Sequence, residues 1–275
     1  MSPRFFVNTS GGLAISVRTE GDDKNVTCIL IHGLADGMFV WANLFDSLAS
    51  HCGVVGLDLR GHGNSGWHAN RDYSIDAYVT DLVEVIGDLN LEKFILIGHS
   101  LGGIIATEVA KMDSRVVGLV LVDAGPADPG YSAIIRQRVQ EGFRGFDSKD
   151  EYRDWLTEGR PLATDSALRM LVEHSLADDG SVFRPRCDPA VALASIEHDE
   201  KWWLAALSKC SIPTLVVRGA GSAFISQKIQ SKMLSVLKRG TGSTVPASGH
   251  SIVTDNLEGL VRVIKPFVLA LTVGQ

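Results

Sequence analysis

The chain has 275 residues, of which 45% are hydrophobic and 21% charged, and its formal net charge is −6. That length suits one large domain, or a domain carrying an insertion, with a sizeable buried core. An acidic balance argues against nucleic acid as a partner, since phosphate binding needs a basic face, and no apolar run approaches the ~20 residues of a membrane span.

In chain order, Phe5 to Val7 and Leu13 to Val17 predict a hairpin around the turn residues Ser10, Gly11 and Gly12. Val26 to Ile31 is a continuous apolar run ending at His32-Gly33, as in a strand covered on both faces. Trp41 to Ala49 has helical spacing, with Trp41, Leu44, Phe45 and Leu48 on one side. Val54 to Leu57 is the next strand, followed by the glycine-rich loop Asp58 to Gly66. Ser74 caps a predicted helix reaching Leu89, with Ile75, Tyr78, Val79, Leu82 and Ile86 inward. Phe94 to Ile97 predicts a short buried strand, Ile104 to Met112 a helix and Val116 to Val122 a strand. Strands and helices that alternate at these lengths imply right-handed crossovers and a mainly parallel sheet.

The rhythm changes at Pro126. Up to Cys210 no strand is evident, and the helical stretches are Ile134 to Val139, Tyr152 to Leu156, Ala167 to Ser175 and Trp202 to Leu207. Alternation resumes with a strand at Thr214 to Val217 and a helix at Ser226 to Leu237. A weak strand at Gly242 to Val245 and a helix at Leu257 to Leu271 close the chain. The expected organisation is a core of residues 1–125 and 211–275, interrupted by a helical insert of residues 126–210. No internal repeat is visible.

Ser100 carries the strongest chemical signal. It stands in Gly98-His99-Ser100-Leu101-Gly102, directly after an apolar strand and before a helix. A strand–turn–helix of this kind strains the serine backbone and lifts its hydroxyl above the sheet, provided the neighbours are small. A serine hydroxyl needs a base. Among the eight histidines, His250 lies in the loop between the last strand and the last helix, after the serine in chain order. The backbone N–H groups of Leu101, next to the nucleophile, and Leu34, after the strand ending at His32-Gly33, are the expected oxyanion hole.

Taken together, His32-Gly33, the loop Asp58 to Ser65, Gly98 to Gly103 and Ser248-Gly249-His250 resemble the α/β-hydrolase superfamily. The resemblance spans the whole core. It implies an eight-stranded, mainly parallel sheet with helices on both faces, and makes the insert 126–210 a lid. It also implies a Ser-Asp-His triad. Most relatives carry the acid after the seventh strand, but residues 201–254 contain no aspartate or glutamate, and Ala223 stands near the usual position. A minority place the acid after the sixth strand, where Asp123 stands, so Asp123 is the candidate; a Ser–His dyad is the alternative. In this the chain is similar to 2-(acetamidomethylene)succinate hydrolases, which also share the Arg218-Gly219-x-x-Ser222 pattern, and to some lactonases.

The implied activity is hydrolysis of an ester, lactone or amide of a small molecule through an acyl-enzyme. A serine at position 100 argues against the haloalkane dehalogenases and epoxide hydrolases of this fold, which need an aspartate. A C–C bond hydrolase, a cofactor-free lyase or oxygenase, and a non-catalytic ligand receptor stay open. Candidate substrate contacts are His32, Trp155 and Trp203, with the arginines of the insert (Arg136, Arg138, Arg144, Arg153, Arg160) available to a carboxylate. The four cysteines, Cys28, Cys52, Cys187 and Cys210, form no CxxC, and Met1 to Phe6 has no stretch of signal-peptide character. These features predict a cytoplasmic, reduced protein without metal or cofactor; a homodimer stays open as its assembly.

Overall fold

The computed structural model describes residues 4–21, 26–127, 129–178, 180–194 and 198–272. Eight strands form one sheet: β1 (Phe5–Asn8), β2 (Ala14–Glu20), β3 (Thr27–Ile31), β4 (Gly53–Leu57), β5 (Phe94–His99), β6 (Val116–Val122), β9 (Thr214–Gly219) and β10 (Gly240–Val245). Their spatial order is β1-β2-β4-β3-β5-β6-β9-β10. The predicted hairpin β1–β2 is antiparallel, as is β2–β4; every other pairing is parallel.

The continuous apolar strands bury both faces, as their composition predicts. Along β3, Ile29 and Ile31 join one core cluster while Cys28 and Leu30 join the other. The same alternation divides Leu96 from Ile95 and Ile97 on β5. The first face is covered by α2 (Ile75–Asp88), α3 (Leu101–Met112), α7 (Glu200–Lys209) and α8 (Gln227–Val236), the second by α1 (Ala42–Ala49) and α10 (Leu257–Thr272). Ser74 Oγ accepts the Ala77 N–H at 3.3 Å, the cap expected from the sequence.

Two local expectations need correction. The helix predicted from Ile104 begins at Leu101, because Gly102 and Gly103 are required by helix–strand contact rather than by a break in the helix. The segment between β6 and β9 also contains strands. Besides α4 (Pro129–Gly142), α5 (Lys149–Gly159) and α6 (Asp165–His174), it forms an antiparallel pair, β7 (Leu176–Asp178) and β8 (Phe183–Pro185). Strands of three residues are too short to show a period of two. Phe146, Tyr152, Leu156, Leu168, Leu171 and Leu176 give this segment an apolar cluster of its own. One further short helix, α9 (Ile252–Asp255), follows β10. No described helix is long and apolar enough to cross a membrane.

Candidate active site

Ser100 sits between β5 and α3 with φ 50° and ψ −116°, a conformation that a β-carbon disfavours. Its N–H donates to the Val122 carbonyl at 3.1 Å, which ties the turn to β6. The glycines around it are steric requirements. A β-carbon on Gly98 would lie 2.2 Å from the Gly102 carbonyl oxygen, and one on Gly102 would lie 2.3 Å from that of Ile31. Only glycine lets α3 approach the strand closely enough to force this turn.

His250 reaches the serine from the loop between β10 and α9: its Nε2 is 3.1 Å from Ser100 Oγ. On the other side of the ring, Nδ1 is 2.8 Å from Asp123 Oδ2. Asp123 follows directly on β6, is fully buried, and has φ 43°. It accepts two further bonds, from the Gly219 N–H to Oδ1 at 3.0 Å and from the Ser222 hydroxyl to Oδ2 at 2.6 Å. A group surrounded by donors alone fits an acceptor-only carboxylate. With Asp123 accepting the Nδ1–H, Nε2 presents its lone pair to the serine hydroxyl.

The loop after β9, where most relatives keep the acid, supplies Ser222 instead. This serine is itself held by the Phe224 and Ile225 N–H groups, which donate to its Oγ at 3.1 and 3.2 Å. The Phe224 ring lies over the His250 imidazole, with centroids 4.1 Å apart and planes tilted by 30°. Neither role follows from periodicity or composition; the Arg218-Gly219-x-x-Ser222 pattern is the one sequence signal that marks Ser222. Phe224 has no such signal.

His99 braces the histidine loop from the second side. Its Nε2–H donates to the His250 carbonyl at 2.9 Å, and the two rings stand 5.0 Å apart. Burial, with the neighbouring His250 as a smaller cause, pushes the His99 imidazole down to about 4, so the ring is neutral near pH 7.

The oxyanion candidates flank the serine. Leu101 opens α3, where geometry leaves its N–H without an intrahelical acceptor. Leu34 lies on the loop after β3, and its backbone N–H has no hydrogen-bond partner among the described residues. Leu34 and Leu101 both line a small space above Ser100, together with Trp203 and Phe224. A cavity of about 520 Å³ opens from the same serine beneath the β6–β9 segment. Its walls include Tyr131, Ile135, Phe143, Trp155 and Leu162, with Arg138 and Arg160 among them.

Trp155 and Trp203 are therefore both brought to the site, Trp203 as a buried side chain. The expectation for His32 is corrected. It is fully buried, its Nδ1–H donates to the Gly33 carbonyl at 2.8 Å, and its Nε2 accepts the Leu59 N–H at 2.9 Å. Both ring nitrogens hold backbone, which leaves none for a ligand. The loop Asp58 to Ser65 is structural in the same way: Asp58 accepts the N–H groups of Met38 and Asn64 at 2.7 and 3.0 Å.

A twisted, mainly parallel sheet, a serine on a strained strand-to-helix turn, and a histidine after the last strand define the class. Residues 28–263 match the alpha/beta hydrolase family, and the chain belongs to it. Among curated proteins it is similar to the esterase Rv0045c of Mycobacterium tuberculosis, with 27% identity over 246 residues, 86% of this chain and 80% of that protein. Two solved structures share the fold. An E-2-(acetamidomethylene)succinate hydrolase superposes with a TM-score of 0.86 at 23% identity, covering 97% of this chain and 99% of that one. An N-formylmaleamic acid deformylase of Pseudomonas putida S16 gives 0.73 at 24% identity, covering 95% and 100%.

Proposed function

We propose that this protein is a serine hydrolase that cleaves an ester, lactone or amide bond of a small molecule through an acyl-enzyme. The observation that carries the reading is the unbroken relay from Asp123 through His250 to Ser100, at 2.8 and 3.1 Å. His250 Nε2 takes the hydroxyl proton as Ser100 Oγ attacks the carbonyl carbon. The carbonyl oxygen gains negative charge and is held by the Leu34 and Leu101 N–H groups. The tetrahedral intermediate then collapses. The leaving group departs with the proton from His250, and Ser100 keeps the acyl group. Water, deprotonated by the same nitrogen, attacks the ester carbon; the acid is released and the serine recovers its proton. Throughout, Asp123 fixes the imidazole tautomer and stabilises the imidazolium.

Esterase activity in a relative that matches most of its length supports the hydrolytic reading. The segment 126–210 acts as the lid in this proposal, since α4 and α5 furnish much of the apolar cavity wall. The four cysteines are buried thiols, with the sulfurs of Cys28 and Cys52 3.6 Å apart, which fits action in a reducing compartment such as the cytoplasm. One similar structure is named for an (acetamidomethylene)succinate hydrolase and the other for an N-formylmaleamic acid deformylase, and Arg138 stands on this cavity's wall. The test is a panel of p-nitrophenyl esters, lactones and small amides, with a carboxylate-bearing ester included and Ser100→Ala as control. Turnover of a panel member that disappears in Ser100→Ala supports the proposal; turnover that persists refutes it.

A further inference from the structure

An ion pair with a buried Asp36 and a partly buried Arg160 stands on the wall of the same cavity, and the steps above make no use of it. Asp36 lies on the loop that presents Leu34, is 6% exposed, and has its Oδ1 3.0 Å from Arg160 Nη2. Arg160 follows α5 directly as its C-cap. Its Nη1 donates to Thr254 Oγ1 at 3.5 Å, and a few residues on, the Thr164 N–H donates to the Thr254 carbonyl at 3.2 Å. Thr254 belongs to α9, the helix that follows His250. One side chain of the insert thus meets both the oxyanion loop and the segment behind the histidine.

Burial alone would raise the Asp36 carboxyl, but Arg160, helped by His99 and His32, outweighs it and holds the group below the usual carboxylate range. The pair is therefore charged. Such a pair contributes little net stability, because desolvation offsets most of the Coulomb gain; apolar replacements of similar volume are often neutral or stabilising. What it does supply is fixed geometry, through a planar guanidinium that cannot lose its charge. The loop has need of it. Ala35, between Leu34 and Asp36, has φ 59°, in the left-handed region that a β-carbon disfavours. The backbone bond across this turn, from the Asp36 N–H to the Gly33 carbonyl, is long at 3.3 Å. Relaxation of Ala35 would shift the loop that carries the Leu34 N–H.

We infer that Asp36 and Arg160 are positioning residues whose ion pair clasps the oxyanion loop to the insert and to the His250 segment. The clasp keeps the Leu34 N–H aimed at the carbonyl oxygen while the insert covers the cavity. The inference rests on the acyl-transfer reading above. Neither side chain touches the reacting atoms, and neither exchanges a proton in the reaction.

The test compares the parent with Asp36→Asn, Arg160→Met, Arg160→Lys and the double variant Asp36→Leu/Arg160→Met, all as full-length chains. Two substrates are used: p-nitrophenyl acetate, and the mono-p-nitrophenyl ester of succinic acid, which adds a carboxylate. Each single removal lowers kcat about 10- to 100-fold on both esters, because a displaced donor stabilises the transition state poorly. KM moves by no more than about twofold, and Arg160→Lys recovers part of kcat. The charge-free double variant melts at or above the parent temperature, yet its kcat is no lower than that of the worse single variant and stays well below the parent's. Its folding keeps the test valid even where a lone buried charge prevents a single variant from folding. Parent-like kcat in the double variant, or losses that multiply, would overturn the inference. So would an effect confined to KM for the succinate ester, which would make Arg160 a substrate ligand. A parent that hydrolyses neither ester and is not labelled at Ser100 by a fluorophosphonate removes the acyl-transfer reading, and the clasp with it.

Discussion

Ser222 Oγ donates to Asp123 Oδ2 at 2.6 Å, and that same oxygen faces His250 Nδ1 at 2.8 Å. The serine comes from the loop after β9 and the aspartate from the end of β6, so two neighbouring strands build one acid position. In most relatives the β9 loop would carry the carboxylate itself. Here it carries the hydroxyl that holds a carboxylate arriving from next door.

Ser222→Ala therefore weakens catalysis without abolishing it. Losing one hydrogen bond to a charged group costs about 1.5–3 kcal/mol, so kcat/KM on an activated ester falls about 10- to 150-fold. Steady-state kinetics on the purified variant, beside its melting temperature, checks this. A variant as active as the parent would show that Asp123 needs no support from the β9 loop.

Asp123→Asn keeps the shape and loses the acceptor that selects the imidazole tautomer. A fall in kcat of about three to four orders of magnitude is expected, with KM little changed. A variant within tenfold of the parent would favour a Ser100–His250 dyad, in which the aspartate only braces the turn.

The strained turn predicts a gain as well as a loss. Ser100 holds φ 50°, and glycine adopts that region without the penalty of a β-carbon. Ser100→Gly is expected to abolish hydrolysis while raising stability by about 1 kcal/mol, read from chemical denaturation. Unchanged or lower stability would mean that the turn is not strained.

Stability should fall on mild acidification. Burial, as the largest cause, lowers His99 to about 4 and His62 to about 3, from 6.5 in an open chain. Between those values the unfolded chain binds protons that the folded chain refuses, so unfolding gains on folding as pH drops. The stabilisation is complete above 6.5 and is lost towards pH 4 and 3. Melting temperatures that decline steadily from about pH 7 to 4 would agree; a flat profile would not.

Much of this was legible in the sequence because it rests on period and punctuation. The runs at Val26 to Ile31 and Phe94 to Ile97 mark strands buried on both faces, and Gly98-His99-Ser100-Leu101-Gly102 marks the turn between strand and helix. The stretch 201–254, free of aspartate and glutamate, points to Asp123, which the fold places beside His250. What escaped depends on contacts distant in the sequence. Phe224 covers His250, and Arg160 reaches back to Asp36 across more than a hundred residues. Nothing local distinguishes those side chains from neighbours on a solvated helix or loop. His32 misled in the opposite direction: its place beside Gly33 resembles a ligand contact, yet backbone groups occupy both of its nitrogens.

Ser100 is the nucleophile on which every step of the proposed reaction depends. The most direct test of that role is the intact mass of the protein after incubation with an ethyl fluorophosphonate, followed by peptide mapping. The parent should gain one phosphonyl group, on Ser100, and lose ester hydrolysis in step with labelling. Ser100→Ala should gain none and hydrolyse nothing. A parent that hydrolyses esters while its adduct maps elsewhere, or a Ser100→Ala variant that keeps parent activity, would contradict the account.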